Sequence, residues 1–441
     1  MRSEPQPSLV RGIGRWSLVA LVLNSIIGSG VFGLPSLIAG LVGGAAPLAY
    51  LAAAAGMGVI MACFAEVASR FRAAGGPYLY AHAAFGRFAG IEIAWLTWLA
   101  RLTAAAGNAN LFVIYLAEFW PRASNLAPRL VVLTLLVGFL AAVNYRGVRA
   151  GAHLSDFFAA AKLLPLAAFV AKGVFFVDWR NLVASSPADG GAWLQAILLL
   201  VFAFGGFEGA LIPMSEAKDP RRDAPFALFV ALAATTLVYT LAQVVVSGVL
   251  AAPERSDRPL AVAARQFLGP PGAALIAAGA LVSVYGLLSS MALYTPRLTF
   301  ALAERGDFPP LFAAIHSRYR TPHFSILIYS LLVWALAASG SFHWNVTLSA
   351  AARLFTYAAT CAALVRLRRQ KPAEAVFRLP AGDLLALLGI AFSFTLVSRM
   401  GRGDLAIIAV TIVIALVNWL WARSGVRGRG SEGRRKGKGE G

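Results

Sequence analysis

The length of its uninterrupted apolar stretches constrains this chain more than any other feature. From Val131 to Val143 only Thr134 and Gly138 interrupt a run of aliphatic and aromatic side chains. Similar stretches recur along the sequence, with the charges gathered between them. A helix needs about 20 apolar residues to cross a hydrocarbon core, and the pattern predicts twelve spans, at 16–40, 45–68, 86–119, 129–145, 155–177, 193–214, 226–250, 272–303, 323–340, 344–366, 382–399 and 403–422. In lipid every backbone polar group must be paired, which leaves helices or a closed barrel. Barrel strands alternate polar and apolar residues; continuous runs do not, so helices are expected. Composition agrees. Apolar residues make up 59% and charged residues 13%, against about 25% charged in soluble domains, too little polar surface to cover a water-soluble globule.

Lysine and arginine set the orientation. With the N-terminus inside, about two-thirds of the 39 basic residues fall in cytoplasmic segments, which places both termini in the cytoplasm of a multi-pass inner-membrane protein. The polar segment Met1–Gly14 runs straight into a long span without a small-residue cleavage site, so no cleaved signal peptide is expected. Cys63 and Cys361 both fall in spans and form no disulfide framework or zinc pattern. The formal charge of +19 reads first as topology, and the Gly- and basic-rich tail at 423–441 is expected to be disordered. Its charge fits anionic lipid better than nucleic acid, which is not expected as a partner. Trp16, Trp120, Trp179, Trp193, Trp419 and Trp421 lie near span ends, where interfacial anchors belong.

Two spans carry glycine clusters at their middles. The first reads Asn24-Ser25-Ile26-Ile27-Gly28-Ser29-Gly30-Val31-Phe32-Gly33-Leu34-Pro35, and the sixth Phe202-Ala203-Phe204-Gly205-Gly206-Phe207-Glu208-Gly209-Ala210-Leu211-Ile212-Pro213. Glycine permits backbone angles that a helix interior does not use, and proline removes a donor. Close helix packing through small residues accounts for either cluster alone. Together they fall five spans apart, in opposite directions across the membrane, and corresponding interrupted helices mark the binding site of inverted-repeat transporters. An unwound helix frees N–H groups that attract a carboxylate and carbonyls that attract an ammonium. Such a site reads both ends of an amino acid.

The ordered motifs GSGVFGLP (28–35), AEVASRFRAAGGPYLYAHAAFG (65–86), NYRGVRAG (144–151), KLLPL (162–166), FAFGGFE (202–208), SEAKDPRRDAP (215–225), PRLTFALAERGDFPPLF (296–312) and RYRTPH (318–323) resemble the amino acid–polyamine–organocation superfamily of permeases. The resemblance covers roughly Gly14 to Trp421. It implies an all-α polytopic fold with a five-plus-five inverted repeat, discontinuous first and sixth helices, and two additional C-terminal helices. The corresponding divisions are a cytoplasmic N-terminus (1–15), a first repeat (16–177), a second repeat (193–366), the extra spans (382–422) and the tail (423–441). By the same resemblance a substrate carboxylate meets amides around Gly28, Ser29 and Gly30, and its ammonium meets carbonyls of Ile26, Phe202 and Gly205. Members with known cargo often place a bulky aromatic near the position of Met291. Gly205 and Met291 here imply a roomy, apolar pocket and a neutral side chain.

Ionisable residues at membrane depth are costly and are functional candidates. Lys162 lies about two turns into the fifth span. It either snorkels to the interface or, as the resemblance implies, takes the place of a sodium ion found in sodium-dependent relatives. In the second case it gains and loses a proton, implying proton coupling or obligate exchange. Glu208 either holds the sixth-span break together through a basic partner, serves as a gate or proton relay, or selects a cationic side chain. Arg101 and Arg353 lie near mid-membrane, and one of them is expected to pair with Glu208, Arg353 in preference because the family packs span ten against spans one and six. Glu66, Arg70, Arg72, Tyr78 and Tyr80 read as structural or inner-gate residues, and Glu216, Lys218, Asp219, Arg221 and Arg222 as a solvated loop or an ionic latch. Asn108 and Asn110 are interhelical hydrogen-bond partners or ligands.

No zincin pattern and no phosphate loop is present, and His82, His153, His316, His323 and His343 fall in loops or near span ends. Neither an enzyme, an ATP-driven pump, a metal nor a cofactor is therefore expected. The reading that emerges is a secondary active transporter of amino acids, neutral side chains favoured, working by alternating access with protons or by exchange. A cationic amino acid or polyamine carrier and a transporter-fold sensor are the alternatives.

Overall fold

The computed structural model describes residues 14–71, 76–147, 152–183, 188–211, 219–370 and 375–436, and all regular elements among them are helical. In chain order these are α1 (Arg15–Ile26), α2 (Ser29–Val42), α3 (Ala46–Ser69), α4 (Gly76–Phe85), α5 (Arg87–Leu116), α6 (Leu126–Arg146), α7 (Ala152–Gly173), α8 (Arg180–Val183), α9 (Gly190–Phe204), α10 (Phe207–Ala210), α11 (Pro220–Val249), α12 (Pro259–Glu304), α13 (His323–Ser339), α14 (Phe342–Gln370), α15 (Gly382–Val397) and α16 (Arg402–Lys436). Among the described residues eight stretches are helical, long and apolar enough to cross a membrane, and α1, α13 and α15 are shorter apolar helices. The apolar run of the first span is divided because α1 stops at Ile26. In α12 the angles at Gly269 (φ 69°, ψ −168°) are non-helical. Pro270 and Pro271 restart the helix there without needing the donors they lack, so Pro259–Leu268 is a separate short helix preceding a long one.

Burial separates central from peripheral helices. The apolar windows of α5 and α14 are 83% and 78% buried, whereas those of α6 and α16 are 17% and 22% buried. Leu135, Phe139, Val413 and Val417 are exposed on the outer helices, as side chains facing lipid would be. Between α5 and α14, the Ser349 hydroxyl donates to the Ala100 carbonyl (2.8 Å). Tyr50 of α3 and Tyr239 of α11 meet edge to face.

Polar contacts gather at two opposite ends of the bundle. At one, Glu66 is fully buried and accepts from Arg70 (2.9 Å), from Arg368 Nε (2.9 Å) and Nη2 (2.5 Å), and from the Leu379 N–H (2.9 Å). Nearby, Asp307 accepts from the Tyr78 hydroxyl and from Arg87 Nε (2.7 Å). Burial, and then the Asp307 carboxylate, push the Tyr78 phenol up to about 12. At the other end, Ser36 donates to the Ser256 carbonyl (2.5 Å), Arg258 pairs with Glu118, and Arg129 donates to the Gly340 carbonyl (2.7 Å). Helices that return between these two ends thread the chain back and forth.

Helix α16 continues to Lys436, past the apolar stretch that ends at Arg423, because extending an existing helix is far easier than nucleating one. Residues 1–13, Arg72, Glu216, Lys218 and 437–441 lie outside the described residues.

Candidate functional site

Both glycine clusters break their helices. Helix α1 ends at Ile26, Ile27 is extended (φ −72°, ψ 101°), Gly28 adopts φ −141° and ψ −133°, and α2 starts at Ser29. Helix α9 ends at Phe204, Gly205 is extended (φ −76°, ψ 171°), Gly206 is left-handed (φ 105°), and α10 starts at Phe207. The breaks face each other. A Cβ added to Gly206 would lie 2.3 Å from the Ser25 carbonyl oxygen, and one added to Gly30 would lie 2.8 Å from the Ala203 Cα. Gly206 is thus required twice, for its positive φ and for backbone-to-backbone approach.

Each break exposes backbone groups, and side chains from other helices take some of them. Lys162, 3% exposed on α7, donates to the carbonyls of Asn24 and Ile27 at 2.9 Å each. It does not snorkel; its ammonium is seated on the carbonyl end of the first break. The Tyr239 hydroxyl lies 3.1 Å from the Ile26 carbonyl and 3.3 Å from that of Ala203, bridging the two breaks. At the opposite side of the first break, the opening N–H groups of α2 at Ser29 and Gly30 have no carbonyl within their own helix to bind. The Ser29 hydroxyl beside them is buried without a partner. Asn108 of α5 donates to the Ala104 carbonyl (2.7 Å), while its Oδ1, unpartnered, lies 3.9 Å from the Cβ position of Gly28.

Glu208, the first acid after the second break, has three neighbours. It accepts from the Gly206 N–H (2.9 Å) and the Tyr357 hydroxyl (3.2 Å), and its Oε1 lies 2.8 Å from Arg353 Nη1. By reaching back two residues, the carboxylate caps the break in its own helix. The Arg353 guanidinium packs where residue 205 has no side chain: a Cβ there would be 2.1 Å from Nη1. Arg101 is 8% exposed, and its Nη2 lies 3.4 Å from the Cβ position of Gly209. Its Nε has no partner.

The structure brings Ile26, Gly28, Ser29, Gly30, Phe202, Gly205 and Glu208 to the paired breaks, but not as an open apolar pocket. Arg353 takes the room attributed to Gly205. Of the three carbonyls expected for an ammonium, that of Ile26 accepts from Tyr239 and that of Phe202 from the Gly205 N–H (3.2 Å), leaving each a second lone pair. Met291 is partly buried, one turn beyond Leu287, and Leu287 is the residue that meets Gly28, with its Cδ2 2.3 Å from the Cβ position. Sequence reading missed Tyr239 and Leu287. Each sits inside an ordinary apolar helix with no local signal of its role. Among the described residues no group of three His, Cys, Asp or Glu side chains could hold a metal ion.

The family model described as "Amino acid permease" matches residues 13–417. The chain is 31% identical to an uncharacterized transporter of Mycobacterium bovis over 414 residues, 88% of each protein. It is 25% identical to an arginine/agmatine antiporter of Chlamydia pneumoniae, covering 92% of this chain and 89% of that one. It is 26% identical to a serine/threonine exchanger of Bacillus subtilis, covering 92% and 95%. These relatives are transporters, and the match takes in both broken helices, the lysine seated on the first and the glutamate capping the second. The chain belongs to the amino acid permease family.

Proposed function

We propose that this protein is a secondary active transporter that carries amino acids across the cell inner membrane by alternating access. In this reading it has twelve spans, a five-plus-five inverted repeat followed by two further helices, and both termini in the cytoplasm. The observation that carries the proposal is the juxtaposition of two glycine-broken helices, Gly206 against Ser25 and Gly30 against Ala203, in a chain of amino acid permease ancestry. The α-carboxylate binds the free N–H groups of Ser29 and Gly30, with the positive end of the α2 dipole beneath it. The α-ammonium binds the carbonyl of Gly205 and the second lone pairs at Ile26 and Phe202. Both recognitions use backbone, so they read what all amino acids share.

Lys162 supplies the coupling in this scheme. As an ammonium it clamps the carbonyls of Asn24 and Ile27; without its proton it loses one donor and the charge that holds two carbonyl dipoles together. Protonation of Lys162 thereby sets the shape of the first break, whether the cycle is symport or exchange. A cationic amino acid or polyamine is the poorer cargo, because Glu208 is already held by Arg353, Tyr357 and the Gly206 N–H. The relatives' cargoes, arginine with agmatine and serine with threonine, agree with amino acid transport and differ in side chain.

The test is uptake of radiolabelled amino acids and polyamines into proteoliposomes holding the purified chain, with and without an inward proton gradient. Amino acid uptake driven by the gradient, or appearing only with amino acid preloaded inside, supports symport or exchange respectively. Uptake of polyamines alone would overturn the choice of cargo. Absence of any uptake by folded protein would overturn the transport reading.

A further inference from the structure

Around the second break, two guanidinium groups face one carboxylate. Arg353 has Glu208 at 2.8 Å. Arg101 Nε is buried without a partner, and among the described residues Glu208 is the only carboxylate close enough to act on Arg101 electrostatically. That carboxylate already meets Arg353, Tyr357 and a backbone N–H. An arginine does not shed its proton and carries five N–H donors in a fixed fork. Among the described residues the two buried cations therefore outnumber their carboxylate by one, an arrangement that is costly unless something anionic enters. Lys162 does not alter the count, since it is seated on neutral carbonyls elsewhere.

We propose that Arg101 receives an acidic group on the substrate's side chain, so that this transporter carries amino acids such as aspartate or glutamate; the inference rests on the amino acid transport reading above. The geometry provides the path. Arg101 Nη2 lies against Gly209, where the missing side chain leaves room. Gly209 follows Gly205, whose carbonyl is offered to the α-ammonium, by four residues across the second break. A substrate bound at the break extends its side chain toward that face. Its carboxylate matches the guanidinium fork in shape as well as charge. The expectation of a neutral side chain came from Gly205 and Met291; with the space at Gly205 filled by Arg353, the second cation at Arg101 decides the class. A cationic side chain would meet repulsion at the same place.

The experiment compares pairs that differ in charge but hardly in shape: L-glutamate with L-glutamine, and L-aspartate with L-asparagine, in proteoliposomes. The acids should enter, and should outcompete their amides as unlabelled inhibitors by tenfold or more. In Arg101→Gln the ratio of glutamate to glutamine uptake should fall at least tenfold. If neutral amino acids are carried while the acids neither enter nor compete, the inference is overturned and the transport reading stands. If no amino acid is carried, the transport reading itself has failed. Glutamine uptake that requires chloride, with no response to glutamate, would assign Arg101 to a free inorganic anion and overturn the proposal. Should Arg101→Gln fail to fold, competition and thermal stabilisation by glutamate over glutamine in the unaltered protein give the same decision.

Discussion

The Arg353 guanidinium occupies the volume that a side chain at Gly205 would need, with Nη1 2.1 Å and Cζ 2.8 Å from the position of an added Cβ. The missing side chain and the buried arginine are therefore one arrangement. Gly205→Ala should drive Arg353 off Glu208 and expose the destabilisation of a broken buried pair, up to about 3–5 kcal/mol. The thermal midpoint of the purified protein should fall accordingly. In an Arg353→Ala background the same substitution should cost much less, and additive costs in that double-mutant cycle would refute the coupling.

Lys162→Ala removes both hydrogen bonds that close the first break and leaves two carbonyls to find water. Uptake should drop at least about tenfold, equivalent to about 1.4 kcal/mol in the barrier, and the remainder should no longer respond to a proton gradient. Circular dichroism should show an unchanged helix content. Full gradient-driven uptake in this variant would remove Lys162 from the coupling step.

Glu66→Gln leaves Arg70 and Arg368 without the carboxylate that both share at a fully buried position. A loss of about 3–5 kcal/mol is expected, read as a lower midpoint in detergent. Because this cluster joins the end of α3 to α14 and to the segment at Leu379, protease cleavage near that segment should also quicken.

Tyr78 provides a contrast in pH dependence. Its phenol is pushed up to about 12, above the ordinary 10. A raised value means the protonated form is favoured in the folded state, so the stabilisation is present below pH 10 and is lost only as pH climbs through about 12. Between pH 5 and 9 the Tyr78–Asp307 contact should hold. Tyr78→Phe should therefore lower the thermal midpoint by the same amount across that window, about 1–2 kcal/mol.

The break positions were legible in the sequence because paired glycines at mid-span, repeated five spans later, fit an interrupted helix better than they fit close packing. The contact of Glu208 with Arg353 was legible in kind, since a buried acid needs a donor and few were available. It could not be read that Gly205 makes room for Arg353 rather than for cargo, because the residue that fills the gap lies 148 positions away along the chain. Tyr239 was invisible for a similar reason. Its hydroxyl acts at a distance of 213 residues from Ile26, and nothing in α11 distinguishes it from a tyrosine packed for its ring. The twelve apolar runs were easier to see than their helices: α1, α13 and α15 fall short of a full crossing by length, where breaks and loops trim an apolar run.

Tyr239 has one hydroxyl proton and two carbonyls within reach, that of Ile26 at 3.1 Å and that of Ala203 at 3.3 Å. It can satisfy only one at a time, so the two broken helices compete for a single donor. An ammonium arriving at Ile26 would meet no lost bond, because the proton can turn to Ala203. The two half-helices are in this respect alternatives for one donor, and the rotation of a single O–H bond passes it from one to the other.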